Sequence, residues 1–142
     1  MQNSSGSADS EMAQQLRWRN FNAFEAKMLA RDMFDCYKHP LWAFRDALEE
    51  EAHRHIPRAL AVNIALDWLE IAGKQLFTLH VEQGRSSAGG TLWRGPTGYN
   101  ARRWEFWAMR LEKLSEDDTI DAGTRARAAK GAETIHARDN GK

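Results

Sequence analysis

From Arg58 to Phe77 the chain reads RALAVNIALDWLEIAGKQLF. Asn63, Asp67, Glu70 and Lys74 recur at steps of four, three and four, which on a helix gathers them into one narrow stripe. Around that stripe lie mostly Ala, Val, Ile, Leu, Trp and Phe. A helix apolar over so much of its circumference is stable only when other helices cover most of its sides. The stretch therefore predicts a central helix inside a bundle. No run of alternating apolar and polar residues offers a strand in its place.

Four more helical segments can supply the cover. The first starts between Met12 and Asn22 and runs to about Tyr37. Asn22 and Glu25 have capping-box spacing, and Phe21, Phe24, Met28, Leu29, Met33, Phe34 and Tyr37 carry an apolar surface onward. Pro40 is expected to end this helix, because it lacks an N–H and disfavours helical geometry before it. The second helix follows with Leu41, Phe44, Leu48, Ala52 and Ile56 on one face and Glu49, Glu50 and Glu51 on a solvated one. Pro57 can open the central helix as its first residue. The fourth helix starts at Asn100 or Ala101, with Trp104, Trp107, Leu111 and Leu114 as its core stripe and Phe106 and Met109 widening it. The fifth, about Asp121 to Ala137, is Ala-rich. Gly123 and Gly131 each lower its intrinsic stability by about 1 kcal/mol relative to Ala, so it is expected to be peripheral and frayed. The resulting expectation is an all-α protein: a compact bundle of about five helices, with a Gly-rich loop between the third and fourth. Residues 1–11 read as a disordered leader, 12–138 as a single helical domain and 139–142 as a flexible tail.

Composition narrows the function classes. Lys and Arg number 20, as do Asp and Glu, so there is no net field to draw in nucleic acid or an anionic membrane, and neither is expected as a partner. The single cysteine, Cys36, excludes an intrachain disulfide and a multi-cysteine zinc site, and its apolar neighbours make it a small buried hydrophobe. No apolar run approaches the ~20 residues that span a bilayer. The first residues, MQNSSGSADSEM, lack the basic and apolar regions of a signal peptide. An intracellular protein of the cytoplasm or nucleus is expected.

The most unusual material is VEQGRSSAGGTLWRGPTGYN, residues 81–100, which holds five glycines and a proline and leads into the fourth helix. Long loops of this kind in compact domains are functional or disordered. The segment GGTLWRGPTGYNARRWEFW (89–107) joins NFNAFEAKM (20–28), LWAFRDALEE (41–50) and ALDWLEIAGKQLF (65–77) in a recurring order. Together these blocks resemble an uncharacterised fungal family known only as a domain of unknown function. The resemblance implies an all-helical protein and brings no reaction, ligand or catalytic residue with it. Members usually carry further helices before the block at Asn20–Met28, so this chain reads as a short member of the family.

Two functional readings compete for the Gly/Trp/Arg segment. In the first it binds a phosphate or another small ligand. Glycines expose backbone N–H groups, a helix N-terminus favours anions, and Arg94, Arg102 and Arg103 supply charge beside Trp93. Yet it has neither the Gly-Lys-Ser/Thr ending of a phosphate loop nor a preceding strand. In the second reading Gly95 and Gly98 make turns while Leu92 and Trp93 dock on the core. The other titratable residues offer less. His53 and His55 follow Glu49 and Glu51 at four-residue spacing but lie on different helical faces, without a third metal ligand. Asp67 and Glu70 are candidates for ion pairs with Arg102 or Arg103. No nucleophile stands near a base in any recognisable motif. No metal, cofactor or catalytic residue is therefore expected. The leading expectation is a non-catalytic helical domain acting through a protein partner or as a homo-oligomer, motivated by the excess of aromatics; of the six tryptophans, Trp68, Trp104 and Trp107 lie on helical core stripes and read as packing residues. The alternative is a small-molecule or phosphate binder, in the limit an enzyme, using Trp93, Arg94, Arg102 and Arg103.

Overall fold

The computed structural model describes residues 4–33, 38–50, 57–79 and 88–138, and every regular element among them is an α-helix. In chain order these are α1 (Ser4–Ala30), α2 (Lys38–Leu48), α3 (Arg58–Phe77), α4 (Ala101–Ser115) and α5 (Ala122–His136). The all-α expectation and the count of five helices hold.

The apolar third segment is the centre of the bundle. α1, α2 and α5 pack directly on α3, burying Val62, Ala65, Leu66, Trp68, Leu69, Ala72 and Leu76. α4 lies against α5 and α2 and meets α3 through the edge of Phe77 on Trp104, 4.9 Å between centroids. The polar stripe on α3 runs along the seam between α1 and α5. Arg19 forks onto Asp67 at 2.7 and 3.1 Å, and Arg127 reaches Asp67 at 3.0 Å, Glu70 at 3.0 Å and the Asn63 side-chain carbonyl. Burial opposes the Arg127 charge, but its hydrogen bonds to Glu70 and Asp67 outweigh that and hold the guanidinium above its ordinary range. The partners of Asp67 and Glu70 thus come from α1 and α5, not from Arg102 or Arg103 of α4.

The first helix departs from expectation at both ends. It begins at Ser4, inside the segment read as a disordered leader, because extending a helix costs little once its later turns are packed. It stops before Pro40 is reached. Asp32 takes a left-handed conformation (φ 55°), Met33 N–H donates to Met28 O at 2.9 Å, and Asp32 N–H donates to Leu29 O at 3.0 Å. This is a Schellman closure, which an Asp tolerates in place of Gly. Pro40 instead lies in the first turn of α2, where the missing N–H would have no helical partner. Asn22 and Glu25 form no cap either. Both are buried mid-helix, where Trp68 Nε1 donates to the Asn22 side chain at 2.9 Å.

α5 is not a frayed helix. Thr124 N–H donates to the Asp121 carboxylate at its start, and Ala128, Ala132 and Ile135 are buried. A Cβ at Gly131 would stand 2.7 Å from the Leu66 side chain, so this glycine is what lets α5 approach α3. On α4, Trp104, Trp107, Leu111 and Leu114 are buried as expected, while Met109 is exposed rather than widening the stripe. Phe34, Cys36, Tyr37, Ala52, His53, His55, Ile56 and His80 lie outside the described residues.

Candidate functional site

The start of α4 places the chemistry of the Gly/Trp/Arg segment. Asn100 caps the helix by accepting the Arg103 N–H at 2.9 Å. Arg103 therefore sits in the first turn, and Trp107, four residues later, shares its face. Both are fully buried and both reach Glu49, just beyond the last residue of α2.

Glu49 has no solvent exposure and its carboxylate is saturated. Oε2 accepts from Arg103 Nε at 2.7 Å and from Trp107 Nε1 at 2.6 Å. Oε1 accepts from Arg103 Nη2 at 2.8 Å and from the Gly90 N–H at 2.9 Å. The remaining guanidinium donors go to loop carbonyls, with Nη1 on Gly98 O at 3.1 Å and Nη2 on Ala88 O at 3.2 Å. The Arg103 guanidinium also lies 5.4 Å from the centre of the Trp107 ring. A carboxylate taken out of water beside the negative end of a helix is costly, and a bidentate guanidinium with two further N–H donors is what offsets that cost.

The loop is sewn down along the same line. Leu92 N–H donates to the Glu49 carbonyl at 2.8 Å, and Glu50 accepts from the Thr91 N–H at 3.0 Å and from its hydroxyl at 2.8 Å. The approach is so close that a Cβ on Gly90 would meet the Glu49 carbonyl oxygen at 2.8 Å. Gly98 turns the chain with φ 78°, which aims its carbonyl at Arg103 and inserts Tyr99 into the core. Phe44, Tyr99, Trp104 and Trp107 then form one aromatic cluster, with Phe44 stacked on Trp107 at 4.8 Å and Trp104 edge-on to Trp107 at 4.9 Å.

The four residues singled out from sequence do not share one environment. Arg103 is fully buried, Arg94 and Arg102 are exposed, and Trp93 is half-buried against Phe106 with its Nε1 donating to Pro96 O at 2.8 Å. Glu49, which sequence reasoning placed on a solvated face, is the hub instead. No local signal could have found it, because the groups that bury it lie 41 to 58 positions further along the chain.

A second feature lies on the opposite flank. A cleft of about 110 Å³ opens among α1, α2 and α3, lined by Trp18, Asn22, His39, Trp42, Asp46 and Ile64. Glu25, buried beneath, holds His39 Nδ1 at 2.8 Å, and His39 lies 5.6 Å from the Trp42 ring. Among the described residues no group of three or more His, Cys, Asp or Glu is placed to hold a metal ion, and no helix is long and apolar enough to cross a membrane.

Residues 1–111 match a family model described as Protein of unknown function (DUF3632). The chain belongs to this family. The DUF3632 match takes in α1, α2, α3 and α4 as far as Leu111, so it includes Glu49, the glycine-rich segment and the Arg103–Trp107 face, and leaves α5 outside. No curated protein and no solved structure matches the chain.

Proposed function

We propose that this DUF3632 member is a non-catalytic helical interaction domain whose working surface is α1. The observation that carries the reading is the exposure of large apolar side chains on that helix: Met12, Leu16, Trp18, Phe21 and Phe24 are each about half exposed or more. Large apolar side chains left exposed together on one element of a folded domain mark a contact site. Trp18 and Phe21 stack at 6.2 Å, and Trp18 also walls the cleft, so the apolar surface runs from the helix into a depression able to take one side chain. The Gly/Trp/Arg segment serves as the fastening of the scaffold. Arg103 is committed to Glu49 and two carbonyls, which leaves a ligand at that segment only Arg94 and Arg102 as cations from the original three.

Site-specific photo-crosslinking tests the reading. A photoreactive residue at Phe24 is expected to yield a covalent adduct with a protein, and one at the exposed Lys113 of α4 to yield none. A folded Phe24 variant that forms no protein adduct would contradict the proposal.

A further inference from the structure

We infer that α1 pairs with α1 of a second copy of this chain, antiparallel, about a two-fold axis level with Trp18. The inference rests on the interaction reading above and names its partner. Asp9, Ala13, Leu16, Asn20, Ala23 and Lys27 recur at alternating steps of four and three, the spacing of a helix–helix seam, with Met12 and Phe24 flanking it. All eight face away from the bundle core: seven are exposed and Ala23 is half-buried.

The seam is self-complementary when reversed. Turning the helix end for end about Trp18 sets Asp9 against the partner's Lys27, Ala13 against the partner's Ala23, and Leu16 against the partner's Asn20, with Met12 on one flank of the seam and Phe24 on the other. Each of these contacts occurs twice, which is what an isologous interface requires. Two small residues facing each other let the backbones approach, and two large apolar residues close the flanks. The parallel arrangement instead opposes Asp9 to Asp9 and Lys27 to Lys27. Arg19 is engaged with Asp67 and Glu25 with His39, and the exposed Glu11 and Arg17 stand off the six seam positions, whereas the exposed Asp9 and Lys27 occupy its two ends.

Area is sufficient as well. Met12, Leu16 and Phe24 are 67%, 59% and 58% exposed, and with Ala13, Ala23 and the polar rim they give roughly 500–600 Å² per copy, about 1,000–1,200 Å² for the pair. That is the lower edge of specific interfaces, and it corresponds to a reversible dimer.

Sedimentation equilibrium of the full chain, over concentrations from about 1 to 300 μM, reads the association directly. The wild type is expected to pass from monomer to dimer within that range. Asp9→Lys and Lys27→Glu should each weaken the dimer about tenfold, because each sets like charges together at two places. The double reversal, D9K with K27E, should restore it, and circular dichroism should show all four proteins equally helical. Restoration distinguishes antiparallel pairing from a general loss of folding. A wild type that stays monomeric throughout would overturn the inference, as would charge reversals without effect or a double reversal weaker than either single one. If the Phe24 crosslink then lands on a different protein, self-pairing fails while the interaction domain stands. If no crosslink forms, both fail.

Discussion

Glu49 and Arg103 form a fully buried, bidentate ion pair that joins the end of α2 to the start of α4. With both side chains at zero exposure, removing one partner strands the other's charge away from water, which costs about 3–5 kcal/mol in such settings. Glu49→Ala and Arg103→Met are each expected to lower the unfolding free energy by about that amount in urea denaturation. Once the first partner has gone, the second substitution strands nothing, so the double variant should lose well under the sum. Purely additive losses, or single losses below about 1 kcal/mol, would show that the pair is not coupled as the geometry requires. Nothing local in the sequence marks Glu49 for this role. It opens a run of three glutamates, and such a run ordinarily faces solvent. The residues that bury it, Gly90, Arg103 and Trp107, lie 41, 54 and 58 positions further along the chain. Tyr99 was hidden in the same way, since a tyrosine among glycines gives no periodicity from which burial can be read.

Individual helices were legible where their signals are local. The α3 stripe spans about three turns and needs only the helical repeat to be seen, and the start of α4 is announced by an Asn able to cap its own helix. The end of α1 was not legible in the same way. Pro40 is a strong breaker, but the chain had already stopped through a left-handed Asp32, and Asp carries a far weaker stop signal than Gly or Pro. Gly131 misled for a related reason. Propensity counts glycine as a defect, whereas close packing of α5 on α3 needs one. The α5 cap provides a pH-dependent test. Hydrogen bonds from the Thr124 N–H and then the Thr124 hydroxyl hold the Asp121 carboxyl below its ordinary value of 3.8. A carboxyl lowered in the folded state stabilises fully above that ordinary value and loses its contribution as pH falls through the lowered one. Asp121→Asn keeps a capping oxygen without the titrating group. On acidification from neutral to about pH 2–3, below the ordinary aspartate range, the wild-type thermal midpoint should fall more steeply than that of the Asn variant. Parallel curves would remove the cap from the acid sensitivity of the fold.

At the scale of the whole molecule the two ends of the bundle behave differently. One end is closed, with the glycine-rich segment bonded to Glu49 and Glu50 and packed over four buried aromatic rings. The other carries α1, on which Met12, Leu16, Trp18, Phe21 and Phe24 stay exposed. The proposed function assigns Gly90, Gly98, Tyr99, Arg103 and Trp107 to holding the fold and leaves α1 as the proposed contact surface. Amide hydrogen exchange at Gly90 and Leu92 tests that division most directly. Both N–H groups donate to Glu49, one to its carboxylate and one to its carbonyl, in a stretch that has no helical bonding to protect it. A structural fastening predicts that these two amides exchange only on global unfolding, as slowly as the core amides of α3, and that Glu49→Gln accelerates Gly90 selectively. Exchange at both positions as fast as in an open loop, while α3 stays protected, would contradict the fastening and return the segment to the role of a mobile binding loop.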